Sequence, residues 1–296
     1  MKKVLGIITL TMLWCNFSFA GEMNLWNKNI KLPKDVSKGY NKGWMFGNNF
    51  DHKTRLTPDY AFRIVNKSDD HPVRFGKQSI RFELRRGDCG KDPGGYDDCT
   101  IWKKDNGMSS ERHELGSENV FKGTTWHTFS IFLKEPFPIK GHNYEHISLG
   151  QLHGWKNSNP SFKWDVDKET YQIKRRTACH LKEFLKESGS SKSGEDGFKC
   201  SPGMAGNHVQ NLISKEDLIG KWHDIILNIK WTTKQDGYFK QWINGKLVYH
   251  FIGRTVVPKG EINVRFGIYR GAAKSNGDAN HVIFYDEIRK RAQGRG

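Results

Sequence analysis

The sequence predicts an all-β protein, a sandwich of two antiparallel sheets with one sheet curved into a groove. From about residue 60 onward, short segments rich in β-branched and aromatic residues alternate apolar with polar positions, which is the pattern of half-buried strands. Glycine, asparagine or proline residues separate these segments, and the 296 residues show neither a repeat nor a second compositional regime. One large sandwich therefore accounts for the chain better than two smaller domains.

The first 20 residues predict a signal peptide that precedes the sandwich. The chain begins Met-Lys-Lys, an apolar run follows, and small residues stand at Ser18 and Ala20. A basic start, a short apolar stretch and small residues before the cleavage point are the features of a secretory signal peptide. No later segment has the ~18 apolar residues that a membrane helix needs. We therefore expect cleavage after Ala20, a single mature domain of residues 21–296, and a secreted or periplasmic location.

Eight segments after the signal peptide carry the strand pattern most clearly. They are Ala61–Val65, Ser79–Arg85, Trp126–Leu133, Trp222–Trp231, Tyr238–Ile243, Leu247–Phe251, Asn263–Tyr269 and His281–Ile288. Asn244-Gly245 stands between two of them, and Asn-Gly is the strongest short-range signal for a β-hairpin. Helix is expected only in Ala178–Glu187 and in Ser214–Gly220, where Ser214 can cap the first turn.

Four cysteines follow the predicted signal peptide, which itself contains Cys15. An even number of cysteines in an exported chain predicts disulfide bonds. We expect the sequence-local pairs Cys89–Cys99 and Cys179–Cys200, because each pair brackets a glycine- and lysine-containing loop. Four cysteines also allow two other connectivities. A zinc site is disfavoured, since no Cys-x-x-Cys spacing occurs.

The strong positive charge predicts a polyanionic partner. The formal net charge is +16, of which the signal peptide lysines contribute two, so the mature chain carries 16 − 2 = +14. Such a field attracts polyanions and speeds their capture. Nucleic acid is the usual partner of a basic protein, but an exported protein meets acidic polysaccharides instead. We expect an acidic polysaccharide substrate, no nucleic acid or membrane partner, and a monomer.

Polar side chains recur two or four residues apart in three segments that read as strands. They share one face of each strand, because strand side chains alternate with period two. Gly267 lies between one such pair and is expected to let a ligand approach the backbone. Each pair taken alone could instead be a structural ion pair, a buried histidine or a core tyrosine. The three pairs together indicate one catalytic surface on a single sheet face. The pairs are Arg112 and Glu114, Gln151 and His153, and Arg265 and Tyr269.

Six motifs occur in the order in which one enzyme family has them. They are Ser79–Arg85, Glu111–Leu115, Gly150–His153, Trp242–Lys246, Phe266–Arg270 and Tyr285–Ile288. In this respect the chain resembles the jelly-roll polysaccharide lyases, above all the heparin-lyase-like and glucuronan-lyase-like group and more distantly the alginate lyases. The resemblance implies a concanavalin-A-like β-jelly-roll and an enzyme that cleaves the 4-O-linkage of a uronate polymer by β-elimination.

The resemblance also implies catalytic roles for four residues. Gln151 and Arg112 match the amide and arginine that neutralise the uronate carboxylate, which is the largest single contribution to such catalysis. Tyr269 is the expected general acid. His153 and Tyr269 remain alternatives for the base that removes the C5 proton.

Further residues are expected to hold the substrate. Arg265 could bind a carboxylate or sulfate bidentately, and Glu114 would orient Arg112. Other expected contacts come from Arg270, Lys163 and Trp155, with Lys174, Arg175 and Arg176 as further basic candidates. Glucuronan, heparan-type chains and alginate all remain open as substrates.

Two other functions are kept as alternatives. Asp165, Asp167 and Glu169 alternate along one predicted strand, which is similar to the carboxylates of laminarinase-like glycoside hydrolases, where two carboxyl groups must lie about 5–5.5 Å apart. The same acids could hold a calcium ion near Asp165 and Asp167; no other cofactor is expected. A non-catalytic carbohydrate-binding module would use the ten tryptophans as platforms but has no need of an acid–base pair.

Overall fold

The computed structural model describes most of the strands of the chain. The described residues are 23–24, 32–40, 44–46, 56–89, 108–118, 121–139, 146–154, 160–167, 170–175, 177, 192–193, 199–200, 208–256, 262–274 and 280–292. Predicted features that lie outside them are the signal peptide, the helix Ala178–Glu187, Trp155, Glu169, Arg176, Cys99 and Cys179. Cys89 is disulfide-bonded, but both cysteine pairings stay predictions.

Nineteen strands occur in the described part of the chain. In order they are β1 (Met23–Asn24), β2 (Ser37–Lys38), β3 (Trp44–Phe46), β4 (Leu56–Thr57), β5 (Phe62–Asn66), β6 (Gln78–Leu84), β7 (Met108–Ser117), β8 (Gly123–Leu133), β9 (His146–Gly154), β10 (Phe162–Asp167), β11 (Thr170–Arg175), β12 (Lys192–Ser193), β13 (Lys199–Cys200), β14 (His208–Ser214), β15 (Trp222–Trp231), β16 (Tyr238–Ile243), β17 (Lys246–Ile252), β18 (Ile262–Lys274) and β19 (His281–Ala292). A 3₁₀ helix spans Lys67–Asp69 and helix α1 spans Lys215–Leu218. Neither is long and apolar enough to cross a membrane.

Two large sheets form the predicted β-jelly-roll sandwich. The first sheet has the strand order β14-β11-β10-β9-β18-β7-β3, and the second has the order β17-β16-β15-β8-β19-β6-β5. Neighbouring strands on these paths are antiparallel, while the short β2 adds to β19 in parallel. Two-stranded ladders join β1 to β4 and β12 to β13. The predicted fold class is thus confirmed.

Local sequence signals place the hairpin and the helix correctly. Asn244 and Gly245 connect β16 to β17 with φ values of 50° and 81°, and positive φ at both positions is the signature of the type I′ turn. The hydroxyl of Ser214 accepts a hydrogen bond from the Asp217 amide at 3.3 Å, which caps the single turn of α1.

Aromatic and aliphatic side chains from both sheets fill the core between them. Phe129 of the second sheet packs against Phe266 of the first, with ring centroids 5.0 Å apart. Trp164 is fully buried, and its indole nitrogen donates to the Gln241 side chain across the core at 2.9 Å. This bond satisfies the buried indole N–H and the Gln241 amide oxygen, each of which would be costly to leave unpaired in an apolar layer.

Tyr285 connects the second sheet to two irregular points of the first. Its hydroxyl lies within hydrogen-bond distance of the carbonyl oxygen of Leu149 and 2.8 Å from that of Gly267. Gly150 and Ser148 pair with consecutive residues of β10, which leaves Leu149 as the extra residue of a bulge. Burial raises the pKa of Tyr285 well above its usual value, so the hydroxyl keeps the proton that it donates.

Replacing Tyr285 by phenylalanine is expected to lower the free energy of unfolding by about 1–3 kcal/mol, because two buried carbonyls lose their donor. Urea denaturation measures the change. Tyr238→Phe, on the outer face of the same sheet, is the matched control and should change stability by less than about 0.5 kcal/mol. Equal midpoints for wild type and Tyr285→Phe would show that the Tyr285 hydroxyl does not support the bulge.

Candidate active site

The three predicted strand motifs lie side by side on the first sheet. Strand β18 is central, with β9 on one side and β7 on the other. Gln151 pairs with Arg265 across β9 and β18, and Arg112 pairs with Tyr269 across β7 and β18. Their side chains lie on the sheet face that points away from the core. We call Arg112, Glu114, Gln151, Arg265 and Tyr269 the groove cluster.

The bulge at Leu149 decides which residues of β9 reach this face. Leu149 and Leu152 are both buried in the core, although strict alternation would place residues 149 and 152 on opposite faces. The extra residue reverses the alternation between them. As a result His146 and Ser148 lie on the same face as Gln151, from which they are separated by odd numbers of residues.

Glu114 is the fully buried centre of the groove cluster. The Gln151 amide nitrogen donates to one carboxylate oxygen of Glu114 at 2.5 Å. The other oxygen lies 3.6 Å from a guanidinium nitrogen of Arg112. Burial lowers the pKa of Arg265, the Glu114 carboxylate acts in the opposite direction, and Arg112 lowers it further. One buried carboxylate therefore contacts the Gln151 amide and an Arg112 guanidinium nitrogen, and its charge also acts on Arg265.

Tyr269 presents its phenol at the edge of this cluster. Its hydroxyl donates to the side chain of Ser110 at 3.1 Å. The guanidinium carbon of Arg112 lies 4.3 Å from the centre of the Tyr269 ring. A cation at this distance stabilises negative charge on the phenol by direct electrostatic attraction.

His146 is a neighbour of Tyr269 that the sequence patterns did not single out. The two ring centroids are 5.9 Å apart. A Cβ atom on Gly271, which pairs with His146, would lie 2.6 Å from the imidazole ring. Gly271 therefore provides the space that the His146 ring occupies. The odd separation of His146 from Gln151 concealed this position, because only the bulge brings both residues to one face.

His153 lies further along the same face of β9. It is partly exposed and pairs in register with Asn263, one pair beyond Gln151 and Arg265 on that face. Gln151 and Arg265 thus separate His153 from the Tyr269 end of the site. The two candidate bases stand at opposite ends of the groove cluster.

Glycine is required at position 267 for a reason other than the predicted one. Its φ is 141°, and a Cβ atom there would lie 2.1 Å from the carbonyl oxygen of His113. The close approach of the β7 backbone requires glycine at this position. The expectation that Gly267 makes room for a ligand is therefore wrong.

Asp165 is a fully buried carboxylate that two lysines neutralise. The Lys163 and Lys174 ammonium groups each lie 2.9 Å from one of its oxygens, and Ser148 donates to the other. Burial opposes ionisation, but the charges of Lys163, His146 and Lys174 outweigh it and hold the pKa of Asp165 well below its usual range. This arrangement fits neither a hydrolase acid nor a calcium ligand, and the described residues include no group of three or more His, Cys, Asp or Glu residues suited to a metal.

Other predicted contact residues are engaged away from the groove cluster. Arg270 is fully buried on the core side of β18, where it donates to Glu111 at 2.6 Å and lies 3.2 Å from His281. Arg175 is buried with its guanidinium carbon 4.0 Å from the centre of the Phe251 ring. The structure therefore does not bring Arg270 or Arg175 to the groove cluster.

The β-sandwich thus carries arginine, glutamine and tyrosine side chains together on one outer sheet face. The chain belongs to the polysaccharide lyase family: the family model described as "Polysaccharide lyase" matches residues 36–289. Its activity is accordingly that of a polysaccharide lyase. A search of the curated proteins found no match.

Two solved structures illustrate the shared fold. The endo-β-1,4-glucuronan lyase from the fungus Trichoderma reesei has a TM-score of 0.53 and 14% sequence identity, covering 88% of this chain and 94% of that one. The alginate lyase AlyC3 has a TM-score of 0.52 and 11% identity, covering 89% of this chain and 99% of that one. At these identities the similarity shows the fold.

Substituting Asp165 by asparagine is expected to lower the free energy of unfolding by about 3–5 kcal/mol at pH 7, because two ammonium groups lose their buried partner. The folded pKa of Asp165 lies below its unfolded value of about 3.9. Its contribution is thus present above about pH 4 and is lost as the pH falls below it. Urea denaturation at several pH values should show the difference between wild type and variant shrinking in acid.

Asp236→Asn is the matched control for this measurement. Asp236 also binds a lysine, Lys230, at 2.9 Å, but the pair is exposed to solvent. Its removal should leave stability nearly unchanged, as is usual for surface ion pairs. Similar effects of the two substitutions would show that burial does not strengthen the Asp165 interactions.

Proposed function

We propose that this polysaccharide lyase is exported and cleaves an acidic, uronate-containing polysaccharide by β-elimination at the 4-O-linkage. The observation that carries the proposal is the groove cluster. In it Arg112, Arg265 and Gln151 surround a single buried carboxylate, so that the cluster keeps an excess of positive charge next to Tyr269. The single mature domain of residues 21–296 remains part of this proposal.

The positive charge of the groove cluster suits the first requirement of β-elimination, which is to neutralise the uronate carboxylate. Removing the C5 proton of a uronate places negative charge beside a carboxylate, so an enzyme must first neutralise that carboxylate. Arg112 and Arg265 supply positive charge. An amide nitrogen carries two protons, so Gln151 can bond to Glu114 and still donate to a uronate oxygen. Donors that are already oriented lower the barrier because they need no rearrangement as charge develops.

Tyr269 is the residue proposed to move the proton. Its phenolate takes the C5 proton, the C–H electron pair forms the C4–C5 double bond, and the C4–O4 bond breaks. The leaving O4 then takes a proton and becomes the new reducing end of the released chain. Tyr269 can perform both transfers when the C5 proton and O4 lie on the same face of the sugar, and His153 remains the base for the opposite configuration.

Two further observations support an acidic polysaccharide as the substrate. The mature chain carries a formal charge of +14 by the subtraction given above, which favours a polyanion. Two proteins of the same fold are named for glucuronan and alginate, both acidic polysaccharides. The basic, apolar and small-residue pattern of residues 1–20 supports export.

Incubation with glucuronan, alginate and heparin should produce the ultraviolet absorbance of an unsaturated uronate from at least one polymer. A hydrolase would release reducing ends without this absorbance, and a binding module would release neither. Reducing ends without absorbance from every polymer would refute the proposed elimination.

Tyr269→Phe should lower the turnover of the cleaved polymer by about 10²–10⁴-fold, the usual contribution of a general acid or base. Binding of the polymer should remain close to that of the wild type, because the hydroxyl is needed for proton transfer. Tyr238→Phe, on the other sheet, is the matched control. Normal turnover in Tyr269→Phe would remove Tyr269 from the mechanism.

His153→Gln separates the two candidate bases. Turnover should fall by about 10²-fold or more only on polymers whose C5 proton and O4 lie on opposite faces of the uronate ring. On polymers with both on the same face, the variant should retain most of its turnover. Equal losses on both kinds of polymer would assign His153 a general role in the site.

A further inference from the structure

The outer face of the second sheet carries a pair of tryptophans, Trp126, which is exposed, and Trp242, which is partly exposed. Trp126 of β8 is 38% exposed, and its ring stacks against that of Trp242 of β16 with centroids 5.8 Å apart and planes inclined by 22°. Both residues alternate with core residues of their strands, Phe129 and Ile243 among them. The pair therefore lies on the face opposite the core, and the groove cluster lies on the other side of the molecule.

Basic side chains stand on both sides of the tryptophan pair. Strand register places Arg291, Trp126, Asn228, Lys240 and His250 in one row across five adjacent strands. Since neighbouring strands are about 4.8 Å apart, the row is about 19 Å long. We call Trp126, Trp242, Lys240 and Arg291 the outer platform.

The charge of the outer platform is of one sign. Arg291 is exposed and Lys240 is partly exposed. Among the described residues, neither this row nor the adjacent row of Arg289, Thr128, Ile226, Trp242 and Leu247 contains a carboxylate. Arg289 is paired with Glu287 at 2.7 Å, whereas the positive charges of Arg291 and Lys240 face solvent.

We propose that the outer platform is a second binding surface for the acidic polysaccharide, separate from the groove. Indole rings offer apolar surface to the C–H groups of a sugar ring, while the guanidinium and ammonium groups attract its carboxylate or sulfate. The identity of this ligand rests on the proposed function, which supplies the substrate class. Neutral glycans would lack the charges that Arg291 and Lys240 recognise.

A second copy of the chain is a less suitable partner for the outer platform than an acidic polysaccharide. A two-fold interface would bring the basic residues of the platform against the same residues of the partner, and like charges repel.

Two binding surfaces on opposite faces would hold the enzyme on a long polymer. Occupation of the outer platform raises the effective concentration of polymer at the groove, provided that the chain is long enough to reach both faces. Short oligosaccharides can occupy only one surface at a time. The outer platform should therefore affect polymer binding and leave oligosaccharide binding to the groove.

The test measures polymer binding by retardation in gels that contain glucuronan, alginate, heparin or neutral dextran. All variants carry Tyr269→Phe so that the polymer is not degraded. Adding Trp126→Ala and Trp242→Ala should weaken binding to the acidic polymer by about tenfold or more, the loss of a bivalent contact. Trp222→Ala is the matched control, because Trp222 lies on the same outer face and packs on Phe132 instead. Undiminished retardation of the double variant would overturn the proposal.

Charge variants test the platform without removing packed rings. Lys240→Gln with Arg291→Gln should weaken retardation in the acidic gels and reduce its dependence on salt, because fewer ion pairs form. Thermal unfolding of each variant checks the fold. Light scattering that shows a wild-type dimer, dissociated by the tryptophan substitutions, would identify an interface between copies and overturn the proposal.

Retardation depends on polymer binding and does not depend on turnover. The outer platform and the lyase mechanism can therefore be refuted independently. Loss of retardation in the platform variants supports the outer platform even if no polymer yields an unsaturated uronate. Turnover of a polymer together with unchanged retardation of the platform variants removes the outer platform and leaves the lyase mechanism intact.

Discussion

The buried carboxylate of Glu114 constrains the rest of the site. An ionised carboxylate in a dry interior is costly unless hydrogen bonds and opposite charges surround it. Gln151 and Arg112 supply these partners directly, and Arg265 contributes a further positive charge. The groups that stabilise Glu114 are those to which the proposed function assigns the uronate carboxylate. In that proposal, burying one acid orders the binding site before the substrate arrives, which lowers the cost of reorganisation.

The arrangement of the site depends on contacts across the core as well as within the first sheet. Tyr285 belongs to the second sheet, yet its hydroxyl bonds the carbonyls of Leu149 and Gly267. These residues lie at the irregular points of β9 and β18, where regular ladder bonds are interrupted. The bulge at Leu149 also sets the positions of His146 and Gln151. The core of the sandwich therefore positions the groove cluster.

Period-two alternation was sufficient to predict most of the strands and the three site motifs. Asn244-Gly245 defined its turn because both residues tolerate positive φ. The same rule failed at the bulge, so the position of His146 could not be derived from spacing. It also could not show that Arg270 is buried, since the partner Glu111 lies 159 residues away in the chain. Ion pairs between distant strands depend on sheet register, which one sequence does not specify.

Buried and exposed basic groups contribute differently to the electric field outside the protein. Several buried basic groups have acidic partners nearby: Arg270 binds Glu111, and Lys163 and Lys174 share Asp165. Such pairs contribute little to the field outside the protein. The large net charge must therefore act mainly through groups that face solvent, such as Arg291 and Lys240. In the two proposals above, a long polyanion would contact both faces of a sandwich whose sheets pack about 10 Å apart. Turnover and retention on the polymer would then depend on different sheets, so substitutions in one sheet would change one property and leave the other.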